Sequence, residues 1–299
     1  MRHFLKITDL TPDEIVGMIE AAKANKGERS SVLAGKSLGM IFAKPSTRTR
    51  VSFTVGAYEL GGHVMFISEH EMQLGRGETI EDTARVLSGY LGGVVIRTYR
   101  QDDLDRFASV ARIPVINGLT DERHPCQGLA DLMTVSEFRE DLVGVKIVYL
   151  GDGNNVATSL ASVMSMVGAH VVVCTPPQLT LPDWAILEIT GLAAANGGKA
   201  EFLYDPEDAV AGADFLYTDV WFSMGQQRVP EKSRQLEPYQ INERLLGLAS
   251  PDCRVMHCLP AHRGEEISAG VLDGPQSIVF QQAENRLHVQ KELLKKLMA

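Results

Sequence analysis

Short, unbroken apolar runs separated by amphipathic segments recur along this chain, and that rhythm limits the fold more than any other feature. The first half carries Leu38-Gly39-Met40-Ile41-Phe42-Ala43, His63-Val64-Met65-Phe66-Ile67, Gly93-Val94-Val95-Ile96-Arg97 and Ile113-Pro114-Val115-Ile116. Helix-like segments over 51–60, 78–87, 102–110 and about 125–139 alternate with them. A strand with one wet face alternates apolar and polar residues. These runs do not, so they predict strands covered on both sides, as in a parallel sheet with helical crossovers.

The rhythm restarts at Val145-Lys146-Ile147-Val148-Tyr149-Leu150. A helix over 156–167, a strand at His170-Val171-Val172-Val173-Cys174, a helix over 183–196 and strands at Asp214-Phe215-Leu216-Tyr217-Thr218 and Arg254-Val255-Met256 follow. The expected fold is therefore α/β, with two doubly wound parallel-sheet domains joined by interdomain helices. The chain of 299 residues suits two domains, 1–140 and 141–280, divided near Asp141-Leu142-Val143-Gly144. The amphipathic segment 281–299, with Leu287, Val289, Leu293, Leu294 and Leu297, is expected to pack back on the first domain.

Composition narrows the function. A net charge of −9 argues against nucleic acid and against an anionic membrane as partners, so an anionic substrate needs a local basic cluster. No apolar run reaches the ~18 residues of a membrane span, and no signal-peptide core opens the chain. The cysteines Cys126, Cys174, Cys253 and Cys258 show neither CxxC spacing nor disulfide density, which fits a reducing cytoplasm.

Lys44-Pro45-Ser46-Thr47-Arg48-Thr49-Arg50 stands between the first strand and the first helix. Two arginines at a helix start oppose the helix dipole, whereas a phosphate there is favoured by the dipole, the N–H groups and the cations together. The segment reads as a phosphate cradle in which Arg48 faces the ligand and Arg50 anchors the motif. Other polar clusters sit where strands should end, the place where α/β proteins bind ligands. They are Arg97, His124-Pro125-Cys126-Gln127, Asp219-Val220-Trp221-Phe222-Ser223-Met224-Gly225 and His257-Cys258-Leu259-Pro260, with Arg286 near the start of the last helix. Pro125 suits a first helical turn. An acid with a glycine-ended loop suits a small cation, and a histidine beside a cysteine suggests a polar contact and a near-neutral thiol.

Other cofactors are disfavoured. Leu150-Gly151-Asp152-Gly153-Asn154-Asn155 imitates a dinucleotide fingerprint, but position 156 is Val156 and the next strand ends without a ribose-binding acid. Ala34-Gly35-Lys36-Ser37 precedes a strand, whereas a P-loop follows one. Pro260 breaks any helix that would align His257 with His262, so no metal is expected. No Mg²⁺-binding carboxylate pair accompanies the cradle. A small phosphorylated acyl compound meeting an amino compound fits best, with no cofactor.

These clusters, in this order and spacing, resemble the aspartate/ornithine carbamoyltransferase family over essentially the whole chain, including Gln73-Leu74-Gly75-Arg76-Gly77-Glu78-Thr79 and Ala283-Glu284-Asn285-Arg286. The loop from Gln73 lacks the lysine of the aspartate enzymes, and Ser223-Met224-Gly225 with His257-Cys258-Leu259-Pro260 resembles the branch that acts on ornithine. Thr54 stands where the family has an acid, on a helix face away from the ligand. The resemblance implies carbamoyl transfer from carbamoyl phosphate to the δ-amine of L-ornithine, giving L-citrulline and phosphate, in arginine biosynthesis. It implies that Ser46, Thr47, Arg48, Thr49, Gln73, Arg97, His124, Gln127, Cys258, Leu259 and Arg286 hold carbamoyl phosphate, with Gln73 reaching in from a neighbouring subunit. Asn155, Asp219, Ser223 and Met224 hold ornithine. Arg97, His124, Gln127 and Cys258 are the implied catalytic residues, Cys258 either accepting the proton or only orienting ornithine. A homotrimer, or a multiple of trimers, whose domains close over the substrates is implied as well. Another amine, putrescine or N-acetylornithine, and a non-catalytic phosphate-binding relative are the alternatives.

Overall fold

The computed structural model describes residues 2–68, 77–223 and 227–299. They form two compact units, Met1–Met133 with Asn285–Ala299, and Thr134–Glu284. The first contains α1 (Pro12–Ala24), β1 (Ser37–Phe42), α2 (Thr47–Glu59), β2 (His63–Ser68), α3 (Ile80–Leu87), β3 (Gly93–Arg97), α4 (Gln101–Val110), β4 (Val115–Leu119) and most of α5 (Pro125–Ser136). Its four strands are parallel in the order β2-β1-β3-β4. Ile41, Leu91, Val94, Ile96, Leu104, Phe107 and Val115 make one buried cluster beneath α3 and α4.

The second unit contains β5 (Lys146–Leu150), α6 (Asn155–Met166), β6 (His170–Cys174), α7 (Asp183–Ala195), β7 (Lys199–Leu203), α8 (Pro206–Val210), β8 (Phe215–Thr218), α9 (Pro230–Leu236), α10 (Glu243–Leu246), β9 (Arg254–His257) and α11 (Ala269–Leu272). The last helix, α12 (Val279–Met298), begins in this unit and ends in the first. The five strands are parallel in the order β7-β6-β5-β8-β9. The α/β class and the two parallel sheets are those that the apolar rhythm predicts. Helices α1 and α8 to α11 and strand β7 lie outside it. Helix α1 is set by a capping box, in which Glu14 N donates to Thr11 Oγ1 (3.3 Å) and Thr11 N to Glu14 Oε2 (3.0 Å), with Pro12 at its first position. Strand β7 is an edge strand whose Lys199 and Glu201 hide its apolar content.

Each sheet reverses its winding once. In the first, β1 leads outward to β2, and the chain then returns to lay β3 on the other side of β1. In the second, β5 and β8 flank the same kind of reversal. Loops leaving two such strands diverge, which opens a crevice at their carboxyl ends. Register places the loops at one height: Phe42 pairs with Arg97, Leu150 with Thr218, and Thr218 with His257. Hence Ser46-Thr47-Arg48-Thr49 and Arg97 share one crevice, and the turn after Leu150, Asp219 and Cys258 share the other.

The turn after β5 is threaded against residues 179–181. Gly153 N donates to Leu179 O (2.7 Å), and a Cβ on Gly153 would lie 2.5 Å from the Thr180 carbonyl carbon. Because these are backbone atoms, Gly153→Ala is expected to destabilise the fold by about 1–3 kcal/mol. Urea unfolding measures this, and an unchanged midpoint would show that the turn relaxes freely.

Candidate functional site

Ser46 is the extended N-cap of α2, and its Oγ accepts from Thr49 N (3.2 Å). That bond fixes the first turn, with Thr47 exposed, Arg48 partly buried and Thr49 buried. Arg50 turns outward, its guanidinium 3.8 Å from the centre of the Phe66 ring on the neighbouring strand. Arg50 is thus held by a cation–π contact, the placement an anchoring role requires. Arg286, on α12, reaches the same turn: its Nη2 donates to Thr49 Oγ1 (2.7 Å) and its Nη1 to Gln127 Oε1 (3.0 Å). Lys44, just ahead of the turn, pairs with Asp121 and lies 4.3 Å from the centre of the Tyr99 ring.

His124 sits immediately before α5, buried with Gln127, Arg97 and Arg286. Burial is the main force holding its imidazole well below the ordinary histidine range, and the charges of Arg286, Arg97 and Arg48 push the same way. His124 is therefore neutral at physiological pH. It serves as a hydrogen-bonding group, and no acid is stored there. Hydrogen bonds and charge proximity thus bring Ser46, Thr49, Arg48, Arg97, His124, Gln127 and Arg286 of the first unit into one basic cluster with neutral polar groups beside it. Its chemistry suits an anion attached to a polar, uncharged acyl group.

In the second unit the carboxylate of Asp219 is the organising group. Its Oδ1 accepts from Cys258 Sγ (3.0 Å) and its Oδ2 from Asn154 Nδ2 (2.8 Å). The same Asn154 caps α6, its Oδ1 accepting from Val156 N and Ala157 N, both at 3.0 Å. Asn155 opens α6, and Ser223 follows Asp219 by four residues in the loop after β8. His257 turns away from Cys258. Its Nδ1 accepts from Leu259 N (2.8 Å), so its Nε2 carries the proton and donates to the buried carboxylate of Glu266 (3.1 Å). The expected His257–Cys258 contact is thereby replaced: the thiol's partner is Asp219, and the imidazole holds Leu259 in a left-handed conformation, φ 56°.

Asp219, His257 and Cys258 offer three ligand atoms within 4.8 Å of one another. Both His257 nitrogens are committed to Leu259 and Glu266, so a metal ion there must break at least one buried hydrogen bond. Gln73 and Met224 lie outside the described residues. Asn154 and Glu266 escaped the sequence reading. Asn154 reads simply as a helix cap, and Glu266 lies nine residues past the His257 it supports.

His124 makes stability depend on pH. The unfolded imidazole titrates near 6.5, and the folded one well below it. Stability is therefore complete above about pH 6.5 and falls as pH drops below it, by up to about 1.4 kcal/mol per unit, because only the unfolded chain then binds the proton. His124→Asn should flatten this limb when urea midpoints at pH 7.5 and 5.5 are compared in phosphate-free buffer. Parallel losses in both proteins would assign the limb to other groups.

Similarity to known proteins also falls into two domains, which part near the first structural boundary but assign the end of α12 to the second domain. Residues 2–137 match the carbamoyl-P binding domain of the aspartate/ornithine carbamoyltransferases, and residues 143–297 match their Asp/Orn binding domain. An ornithine carbamoyltransferase of Oceanobacillus iheyensis is 52% identical over 304 residues, which span 100% of this chain and 94% of that protein. One from Bacillus thuringiensis is 51% identical over 294 residues, 98% of this chain and 93% of that protein. The solved ornithine carbamoyltransferase of Pyrococcus furiosus superposes with a TM-score of 0.96 at 49% identity, covering 99% of this chain and 97% of that one. With a basic cluster in one unit, an acid–thiol pair in the other and both family domains matched in order, the chain belongs to the aspartate/ornithine carbamoyltransferase family.

Proposed function

We propose that this protein is an ornithine carbamoyltransferase that moves the carbamoyl group of carbamoyl phosphate to the δ-amine of L-ornithine, giving L-citrulline and phosphate. Its direction in this reading is biosynthetic, toward arginine. Residues 1–140 with 281–299 bind carbamoyl phosphate and residues 141–280 bind ornithine. The observation that carries the reading is the set of three arginines around a neutral His124 and the Gln127 amide. The full-length similarity to the enzymes named above supports it.

In this mechanism Ser46, Thr47, Arg48 and Thr49 hold the phosphate, with Arg97 and the neighbouring subunit's Gln73 assisting. Arg97, Thr49 and His124 donate to the carbamoyl oxygen, Gln127 Oε1 accepts from the carbamoyl NH₂, and Arg286 with the Cys258 and Leu259 backbone completes the pocket. Asn155, Asp219, Ser223 and Met224 hold the amino-acid end of ornithine. The amine lone pair forms the new C–N bond, negative charge gathers on the carbonyl oxygen, and the C–O bond to phosphate breaks with its electrons leaving on phosphate. Removing one donor to such a developing charge typically costs about 3–4 kcal/mol in the barrier. The amine must first lose a proton, since a free alkylammonium titrates near 10.4. In this reading the Cys258 thiol, hydrogen-bonded to Asp219, either relays that proton or only orients the substrate. No metal or nucleotide takes part. The protein works in the cytoplasm as a trimer or a multiple of trimers, a placing supported by four free cysteines. Among the described residues no helix is long and apolar enough to cross a membrane.

Citrulline formation without metal or nucleotide is the direct test, with ornithine, putrescine and N-acetylornithine compared as acceptors. Ornithine is expected to dominate, and folded protein that makes no citrulline would contradict the reading. Arg48→Ala is expected to weaken carbamoyl phosphate on the order of 100-fold, the upper range for a hydrogen bond to a charged group, while leaving the melting temperature near its original value. Unchanged affinity would remove Arg48 from the phosphate site.

A further inference from the structure

We propose that Asp131 is a positioning residue for the carbamoyl group, acting through Gln127; this rests on the carbamoyl transfer reading. Asp131 lies four residues after Gln127 on α5, so both project from one helix face. It is wholly buried, an uncommon place for a carboxylate that serves only solubility. Gln127 Nε2 donates to Asp131 Oδ1 (2.8 Å), and Gln127 Oε1 accepts from Arg286 Nη1 (3.0 Å).

The two ends of this chain of bonds admit one polarity. A carboxylate only accepts and a guanidinium only donates. A glutamine amide has nearly the same shape when its oxygen and nitrogen are exchanged, so its direction is set by what flanks it. Asp131 on one side and Arg286 on the other fix it: NH₂ toward the acid, oxygen toward the arginine. Both bonds involve an ion, and both draw electron density along the amide toward Oε1, which makes that oxygen a stronger acceptor. The oxygen has two lone pairs. Arg286 takes one, and the second suits an N–H donor such as the carbamoyl NH₂. The same arginine donates to Thr49 Oγ1 (2.7 Å), so that hydroxyl accepts there and its own proton is left for another acceptor, as the carbonyl side of a ligand requires. Asp131 thus orders which groups of the pocket accept and which donate, without touching the substrate.

A purely electrostatic role makes the opposite prediction. If Asp131 only balanced the arginines, its removal would tighten every anion. If it only filled the core, its removal would weaken all ligands alike. Positioning through Gln127 predicts a split between ligands with and without an amide.

Titration calorimetry on the full chain separates these. The probes are phosphonoacetamide, which carries the amide and phosphate ends with no scissile bond, and inorganic phosphate. In Asp131→Ala, phosphonoacetamide is expected to bind roughly 10- to 100-fold more weakly, the range for losing a charged hydrogen bond, while phosphate binds as before or more tightly. Asp131→Asn keeps the volume and one acceptor, folds as the original, and is expected to fall between. Gln127→Ala combined with Asp131→Ala should lose little more than either change alone. Equal weakening of both probes, losses that multiply, or unaltered protein that does not prefer phosphonoacetamide to phosphate would overturn the role. Should Asp131→Ala fail to fold, Asp131→Asn carries the comparison. Citrulline formation by unaltered protein is measured on the same preparation. Its absence beside a clear probe split counts against the transfer reaction, and its presence without a split counts against Asp131 alone.

Discussion

Three arginines acting on one buried imidazole are the constraint to which the first unit is built. Arg48, Arg97 and Arg286 all oppose a proton on His124, and Arg97 and Arg286 are themselves buried. Gathering cations away from water is costly unless hydrogen bonds and opposite charge offset it. Part of the compensation is visible: Arg286 is bound to Thr49 and Gln127, and Gln127 is bound to Asp131. These cations stand together in a chain whose net charge is −9. Such a cluster favours a compact anion, and its burial makes each hydrogen bond to that anion stronger than it would be in water.

Parallel topology explains how so few residues reach one point. A crossover fold delivers every strand end to the same edge of the sheet, and the reversal between β1 and β3 opens the place where their loops part. The second unit repeats the arrangement between β5 and β8, with Asp219 in place of arginines. In the proposed reading one architecture thus serves an anion in one unit and an amino compound in the other. Capping does additional work at both. Ser46 sets the turn that carries Arg48 and Thr49, and Asn154 both starts α6 and steers Asp219, so helix formation and site formation share the same bonds.

Much of this was legible in the sequence. Continuous apolar runs gave away the strands, and polar clusters at their ends marked Ser46 to Arg48, Arg97, His124, Gln127, Asp219 and Cys258. What escaped had physical reasons. Strand β7 is an edge, so Lys199 and Glu201 replace apolar residues, and their ion pair (2.9 Å) with the contact from His170 (2.5 Å) stabilises it instead. Helix α1 carries a plain Thr11-to-Glu14 capping signal that the strand pattern overshadowed. Asp131 and Glu266 act on neighbours, and a buried acid looks in sequence like any surface acid. His257 was misdirected because adjacency in sequence suggested contact with Cys258, whereas strand geometry sends successive side chains to opposite faces.

The central claim is that the two units bind different substrates, the phosphate compound at the β1/β3 reversal and the amino acid at the β5/β8 reversal. Hydrogen exchange of the full chain with separate ligands tests it most directly. Phosphonoacetamide alone is predicted to protect amides over 46–52 and 124–131. L-norvaline, which has the amino-acid end of ornithine without its δ-amine, is predicted to protect 151–158 and 217–223. Protection of 151–158 by phosphonoacetamide with none over 46–52 would contradict the account.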